Sequence, residues 1–289
     1  MNKQNLKTIV RGIYDLQKLR IQMGNRIVAN YKCKLGQQPS KPEGEMGAEE
    51  KKILDKLRLH FRKMTDGMLS LPSNTRFTGD SVISDYAEMC LISQYMKLET
   101  DEAANFRQLE KVLQGVPIYT EFLKGVKGCG PAMSGVIISE IDIHKATYPS
   151  SVHAYAGLDV AADGKGRSKQ AAHLVDVEYT AADGTIKTKK SITFNPFLKT
   201  KLMGVLASSF LRSKSPYRDI YDGYKNRLEN HPAHQEKTKG HRHNMALRYM
   251  IKRFLVDLYV AWRTLEGLEV AQEYHEAKLG IIHSGKEAE

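Results

Sequence analysis

Apolar residues near the start of the chain recur in steps of three and four. Leu6, Ile9, Ile13, Leu16, Leu19, Met23 and Ile27 fall on one stripe, the signature of a long amphipathic helix. Glycine, proline and charge break the pattern over 34–50, KLGQQPSKPEGEMGAEE, which predicts a loop. A second helix is predicted from about Glu49 to Leu69, with Ile53, Leu57, His60, Phe61 and Met64 along one side. After the break SLPSNTRFTGD, a third runs from Ser81 to about Gln114. Long helices with narrow apolar seams predict an antiparallel coiled-coil arm over residues 1–120. Such seams want a partner, so the arm is expected to form a homodimer.

The pattern changes at FLKGVKGCGPAMSGVIISEIDIHKATYPSSVHAYAGLD, residues 122–159. Gly125, Gly128 and Gly130 punctuate a turn, Pro131 suits the first position of a helix, and Met133, Val136, Ile137, Ile138 and Ile141 follow as its apolar body. Pro149-Ser150-Ser151 predicts another helix start, with Ser150 or Ser151 as N-cap. A Gly-x-Gly turn feeding a helix N-terminus aims backbone amides at one point, which suits a phosphate. That layout reads as a helix–hairpin–helix with Lys127, Gly128 and Gly130 at its tip, and a plain turn between helices has the same local sequence. Further on the period becomes two. HLVDVEYT (173–180) and TIKTKKSITF (185–194) predict a β-hairpin around Ala182-Asp183-Gly184. A helix over 195–214 is predicted with Asn195 as N-cap and Pro196 behind it, then a short helix from Pro216 to Leu228. A polar loop spans 231–244, and a helix from Met245 to Leu268 turns Leu247, Met250, Ile251, Phe254, Leu258, Trp262 and Leu265 inward. The expected fold is therefore mainly α: a helical arm, then a mostly helical domain over 121–270 with one small β-hairpin, and a partly disordered tail over 271–289.

Charge gives this architecture a direction. Lys and Arg number 44 against 33 Asp and Glu, a net charge of +11, which favours a polyanionic partner. Arg11, Arg20 and Arg26 lie off the apolar stripe of the first helix and would track a phosphate backbone, although a solvated face has the same composition. Lys165, Arg167 and Lys169 stud the glycine-rich loop AADGKGRSKQ (161–170), and Lys187, Lys189 and Lys190 stud the hairpin. His241, Arg242, His243 and Asn244 close a loop that also holds His231 and His234. The spacing of these imidazoles fits no standard zinc module, so a nucleic-acid contact or a plain connector is expected and no metal. Asp101, Glu102 and Glu110 read as solvated surface. Cys33, Cys90 and Cys129 lie far apart, which points to a reducing compartment rather than a disulfide frame. Charges interrupt the first apolar segment, no apolar run reaches a membrane span, and the expected location is cytoplasmic.

Several motifs in order carry a resemblance. GCGPAMSGVIISEIDIHKATYPSSVHAYAGLD, NPFLKTKL, SPYRDIYDGYKNRL and HNMALRYMIKRFLVDLYVAW resemble the C-terminal domain of IS110-type transposases, over about residues 120–268. The segment Pro149 to Asp159 is also similar to the Nop domain of box C/D guide-RNA proteins. Two departures matter. Those transposases begin with a RuvC-like nuclease, for which the helical arm leaves no room. Their loop carries Ser-Ser-Gly with a catalytic serine, where this chain has Ala161-Ala162-Asp163-Gly164 and only Ser168 beyond. A nuclease-free domain with a helical arm looks most like the Nop-like Tas proteins of tandem interspaced guide RNA (TIGR) systems. That resemblance implies a prokaryotic or phage-encoded, non-catalytic ribonucleoprotein with no cofactor. Its partners would be a guide RNA, a target DNA and in some systems a separate nuclease. Tyr148 and Tyr155 are the nearest aromatics for stacking a base, or else core residues. The alternatives are a recombinase subunit acting on DNA strands through Ser168, or a transposase-derived DNA-binding protein.

Overall fold

The computed structural model of the chain describes residues 2–38 and 46–272. Three long helices come first, α1 (Lys3–Lys34), α2 (Ala48–Thr65) and α3 (Tyr86–Leu113). Short helices α4 (Pro117–Glu121), α5 (Pro131–Glu140) and α6 (Pro149–Tyr155) lead to strands β1 (Val175–Thr180) and β2 (Ile186–Ser191). Then come α7 (Pro196–Thr200), α8 (Ala207–Ser213), α9 (Pro216–Asn230) and α10 (Lys239–Leu265). The described residues are mainly helical, with one two-stranded antiparallel sheet. None of their helices is long and apolar enough to cross a membrane. Two compact units divide the chain, one of residues 8–109 and one of residues 1–7 with 110–289. The tail expected to be partly disordered lies, from residue 273 on, outside the described residues.

In the unit of residues 8–109, Ile27, Val28 and Tyr31 of α1 meet Leu54, Leu57 and Phe61 of α2, and Met89, Ile92 and Tyr95 of α3, in one buried cluster. The inward stripe of α1 differs from the expected one. Val10 and Ile13 are buried, whereas Ile9 and Leu19 are 38% and 46% exposed. The reason is polar. Gln17 Nε2 donates to Glu102 Oε1 at 2.8 Å, and Arg20 bonds the other Glu102 oxygen and the Tyr95 hydroxyl. Glu102 is thus buried in an ion pair rather than solvated, a correction to the sequence reading. A carboxylate this buried needs such partners, because leaving it alone would cost several kcal/mol.

In the other unit α10 is the spine, with Met250, Ile251, Phe254, Leu255 and Tyr259 all fully buried. The Phe254 ring meets those of Phe122, Phe210 and Tyr217 at centroid distances of 6.5, 5.3 and 5.4 Å. The segment 143–159, which contains α6, runs antiparallel to this helix and is tied to it by a ladder of side-chain-to-backbone bonds. Arg263 Nη1 donates to the carbonyls of Ile143 and Ala146 at 3.2 and 2.8 Å. Tyr259 donates to the Thr147 carbonyl at 2.6 Å, and His153 Nε2 to that of Lys252 at 3.2 Å. Arg248 Nη2 closes the ladder on Gly157 and Asp159.

Helix starts follow the sequence signals in part. Asn195 caps α7, accepting from the Leu198 amide at 3.0 Å, with Pro196 behind it. The expected helix over 195–214 is interrupted by a π-helical stretch, Lys201–Leu206. At α6 the expected serine cap is replaced. Pro149 itself takes the first helical position after Tyr148, since its fixed φ is already helical. α10 begins at Lys239 behind a Thr238 cap, well before Met245, so the segment expected as loop is partly its first turns.

One carboxylate organises the return into α3. Asp80 Oδ1 accepts from the amides of Val82 and Ile83 at 2.7 and 2.6 Å, and Oδ2 meets His60 Nδ1 at 2.6 Å. Burial pushes its carboxyl up, but the Ile83 amide, His60 and the Val82 amide outweigh burial and bring it down to about 2. A depressed carboxylate stabilises the fold above its unfolded value near 3.9, and that stability is lost as pH falls through the folded value. Asp80→Asn is therefore expected to cost about 1 kcal/mol near neutrality, after allowance for solvent screening. The difference from wild type should shrink as pH falls from about 4 to about 2, read by urea denaturation across that range. A deficit independent of pH would show that the ionised form has no such role.

Candidate nucleic-acid interface

The basic loop is built as a braced turn. The Ala161 amide donates to the Lys165 carbonyl at 2.8 Å, and Val160 bridges Gly166. Arg167 Nε is 2.7 Å from Asp159 Oδ2. Asp159 Oδ1 is buried without a hydrogen-bond partner in the protein. Lys199 donates to the Arg167 carbonyl, and the Arg248 guanidinium lies against Gly166, where an added Cβ would sit 2.7 Å from Nη1. Burial lowers the pKa of Lys199, and nearby Arg248 lowers it further. Burial likewise lowers Arg248, opposed by Asp159. Arg167 thus holds the loop, while Lys165 and Lys169 are exposed. Sequence reasoning missed Lys199 and Arg248, because a lone basic residue on an amphipathic helix carries no local sign of what it braces.

Ser168 has a neighbour that the sequence did not suggest. Its Oγ is 3.0 Å from His173 Nδ1, and His173 Nε2 is 3.2 Å from Asp163 Oδ2. The Ser168 amide also points at Nδ1, at 2.9 Å, and Gln170 Nε2 lies 2.9 Å from His173 Nε2. His173 is buried. The Lys165 amide and then His173 hold the Asp163 carboxyl below its usual range.

The β-hairpin is exposed at every position except half-buried Ser191, so its alternation does not mark a buried face. Its register nevertheless makes two unlike faces. Val175, Val177 and Tyr179 pair with Ser191, Lys189 and Lys187 on one side. Asp176, Glu178 and Thr180 pair with Lys190, Thr188 and Ile186 on the other. Lys189 lies 4.8 Å from the Tyr179 ring centroid. On the acidic face, Lys190 is matched by Asp176 at 2.8 Å. Lys187 reaches Asp183 of the turn at 3.3 Å, an exposed pair of small energy.

The other expected contacts separate into bound and outward groups. Arg242 Nη1 donates to the carbonyls of His234 and Lys237 at 3.1 and 2.8 Å, and so closes the turn before α10. His243 Nδ1 is 2.6 Å from the Tyr221 hydroxyl, while His241 and Asn244 are exposed. Burial lowers the His234 pKa, helped by the charge of Lys237. Tyr155 is 40% exposed and accepts from Asn195 Nδ2 at 3.1 Å. Tyr148 is half-buried and partnered. In the unit of residues 8–109, Arg20 is held by Glu102, Arg11 is half-buried and partnered, and Arg26 is exposed.

At the glycine turn the three glycines are not equivalent. Gly128 has φ +95°, and an added Cβ would lie 2.6 Å from Ser213 Oγ and 3.0 Å from the Phe210 ring. Its carbonyl accepts from Ser209 Oγ at 2.8 Å. This residue packs against α8, whereas Lys127 and Gly130 face solvent. Between them Cys129 is buried, and burial pushes its thiol up to about 11.

No protein-family model, no curated protein and no solved structure matches the chain.

Gly128→Ala is expected to lower stability by about 1–3 kcal/mol through backbone strain and crowding. Gly130 sits at φ −74° with nothing within 4 Å of an added Cβ, so Gly130→Ala should cost less than about 1 kcal/mol. Paired thermal and urea denaturation checks this, and equal stability of the two variants would refute the packing role of Gly128.

Proposed function

We propose that the chain is a non-catalytic RNA-binding protein that holds a guide RNA for recognition of target DNA, in the manner of the Nop-like proteins its motifs resemble. In that arrangement the protein contacts backbone and RNA shape, and base pairing reads sequence. The observation that carries the reading is the free-standing hairpin. A two-stranded sheet on its own is marginal in water, and this one offers solvent a face of Tyr179, Lys187 and Lys189 with an aliphatic floor. Basic charge interleaved with an aromatic suits a phosphate backbone with accessible bases. The exposed Lys165 and Lys169, held on a braced loop, add to it. Homodimerisation through the helical arm and recruitment of a separate nuclease belong to the same proposal.

A second reading is favoured by one observation. The contact of Ser168 with His173, backed by Asp163, is the base that a nucleophilic serine needs. On that reading the chain is a recombinase subunit that acts on DNA strands.

Purification from the native host followed by sequencing of bound nucleic acid tests the first reading. Discrete short RNAs of uniform length are the expected result, and protein free of RNA would sink it. Lys187→Glu with Lys189→Glu should weaken RNA binding and reduce the slope of log affinity against log salt by about 1.4, two single-strand phosphate contacts. DNA strand cleavage that disappears in Ser168→Ala would decide for the second reading.

A further inference from the structure

A groove of about 700 Å³ lies between α6, α9, α10 and the residues that follow α6. Its volume is within the roughly 300–1,000 Å³ of pockets that enclose a small organic ligand. Two tyrosines from different helices stack in it. Tyr224 of α9 and Tyr249 of α10 have ring centroids 4.2 Å apart at an interplanar angle of 16°. The Tyr249 residue remains 39% exposed, so the pair is in part within reach of a ligand.

The lining is rich in cations, of which Lys252 and Arg253 also have partners within the protein. Arg227, Lys252 and Arg253 line the groove, and Asp159 is the one carboxylate among its described lining residues. That carboxylate is already matched by Arg167. Aromatic faces beside clustered cations are how proteins grip unpaired nucleotides, because every base has a π-face and every nucleotide a phosphate. A purely apolar ligand would not need the cations, and a free phosphate would not need the stack.

We propose that this groove takes one unpaired nucleotide of a single-stranded nucleic acid, its base added to the Tyr224–Tyr249 stack and its phosphate among Arg227, Lys252 and Arg253. The site rests on the nucleic-acid reading above and deepens it, since duplex RNA has no free base to offer. RNA and single-stranded DNA share this chemistry, and stacking does not distinguish their sugars.

Fluorescence anisotropy of the full chain with oligouridylate, oligothymidylate and a blunt RNA duplex tests the site. Tyr249→Ala should weaken oligouridylate binding on the order of tenfold. Salt slope and duplex affinity should stay unchanged, because no phosphate contact is lost. Tyr249→Trp should restore the affinity. An equal loss for oligothymidylate assigns the groove to either strand type, and a loss confined to oligouridylate assigns it to RNA, both in support. Wild-type affinity in Tyr249→Ala, alongside weakened binding by Lys187→Glu with Lys189→Glu, would overturn the groove and leave the RNA reading standing. A wild-type chain that binds none of the three probes would overturn both. Photocross-linking of a thiouridine-substituted oligonucleotide to the unmutated protein gives a measurement that does not depend on the variants folding. Adducts on the peptides of Tyr224 or Tyr249 support the site, and adducts confined elsewhere refute it.

Discussion

The unit of residues 110–289 depends on how irregular backbone is satisfied beside a buried helix. The segment 143–159 holds only a short helix, so many of its carbonyls have no partner of their own. A buried carbonyl without a partner costs about 1–3 kcal/mol. α10 supplies the missing donors from its side chains at Arg263, Tyr259 and Arg248, and takes one bond back from His153. Arginine suits both ends, because one terminal nitrogen of its rigid guanidinium serves two carbonyls and the group tolerates partial burial. Phe254 and its ring neighbours pack the same helix from another side. Helix, ladder and basic loop therefore stand or fall together.

The same division of labour between arginine and lysine explains where the net charge goes. Arg20, Arg167, Arg242, Arg248 and Arg263 all bond carboxylates or carbonyls within their own unit. Lys165, Lys169, Lys187 and Lys189 are exposed. Lysine keeps its strongly hydrated ammonium in water, while arginine tolerates partial burial when its donors are used. Counting positive charges along the chain therefore overstates how much arginine charge is left unmatched, whereas the hairpin and loop lysines stay at the surface.

Much of the fold was legible in sequence because its signals are local. Asp183-Gly184 marked the hairpin turn, Asn195-Pro196 the start of α7, and the apolar period of 245–268 the spine. The errors came where a distant partner decides. Glu102 looked solvated because Gln17 and Arg20 lie more than eighty residues away in sequence. Ile9 and Leu19 looked inward because the polar pairings of α1 were invisible. Gly128 and Gly130 looked interchangeable until α8 was seen to press on only one of them. The exposure of the loop and hairpin lysines was legible, and the geometry around them was not. The contact of Ser168 with His173 depends on a loop fold, and the stacking of Tyr224 on Tyr249 depends on how two helices pack.

The exposed hairpin has one more consequence. Each of its strands has an outer edge whose amides and carbonyls lack a neighbouring strand, and such edges recruit strands from other chains. Here the lysines of β2 repel a like-charged strand from another copy. The charge that would draw a polyanion also guards the bare edge. The acidic residues of β1, Asp176 and Glu178, leave the other edge without that guard.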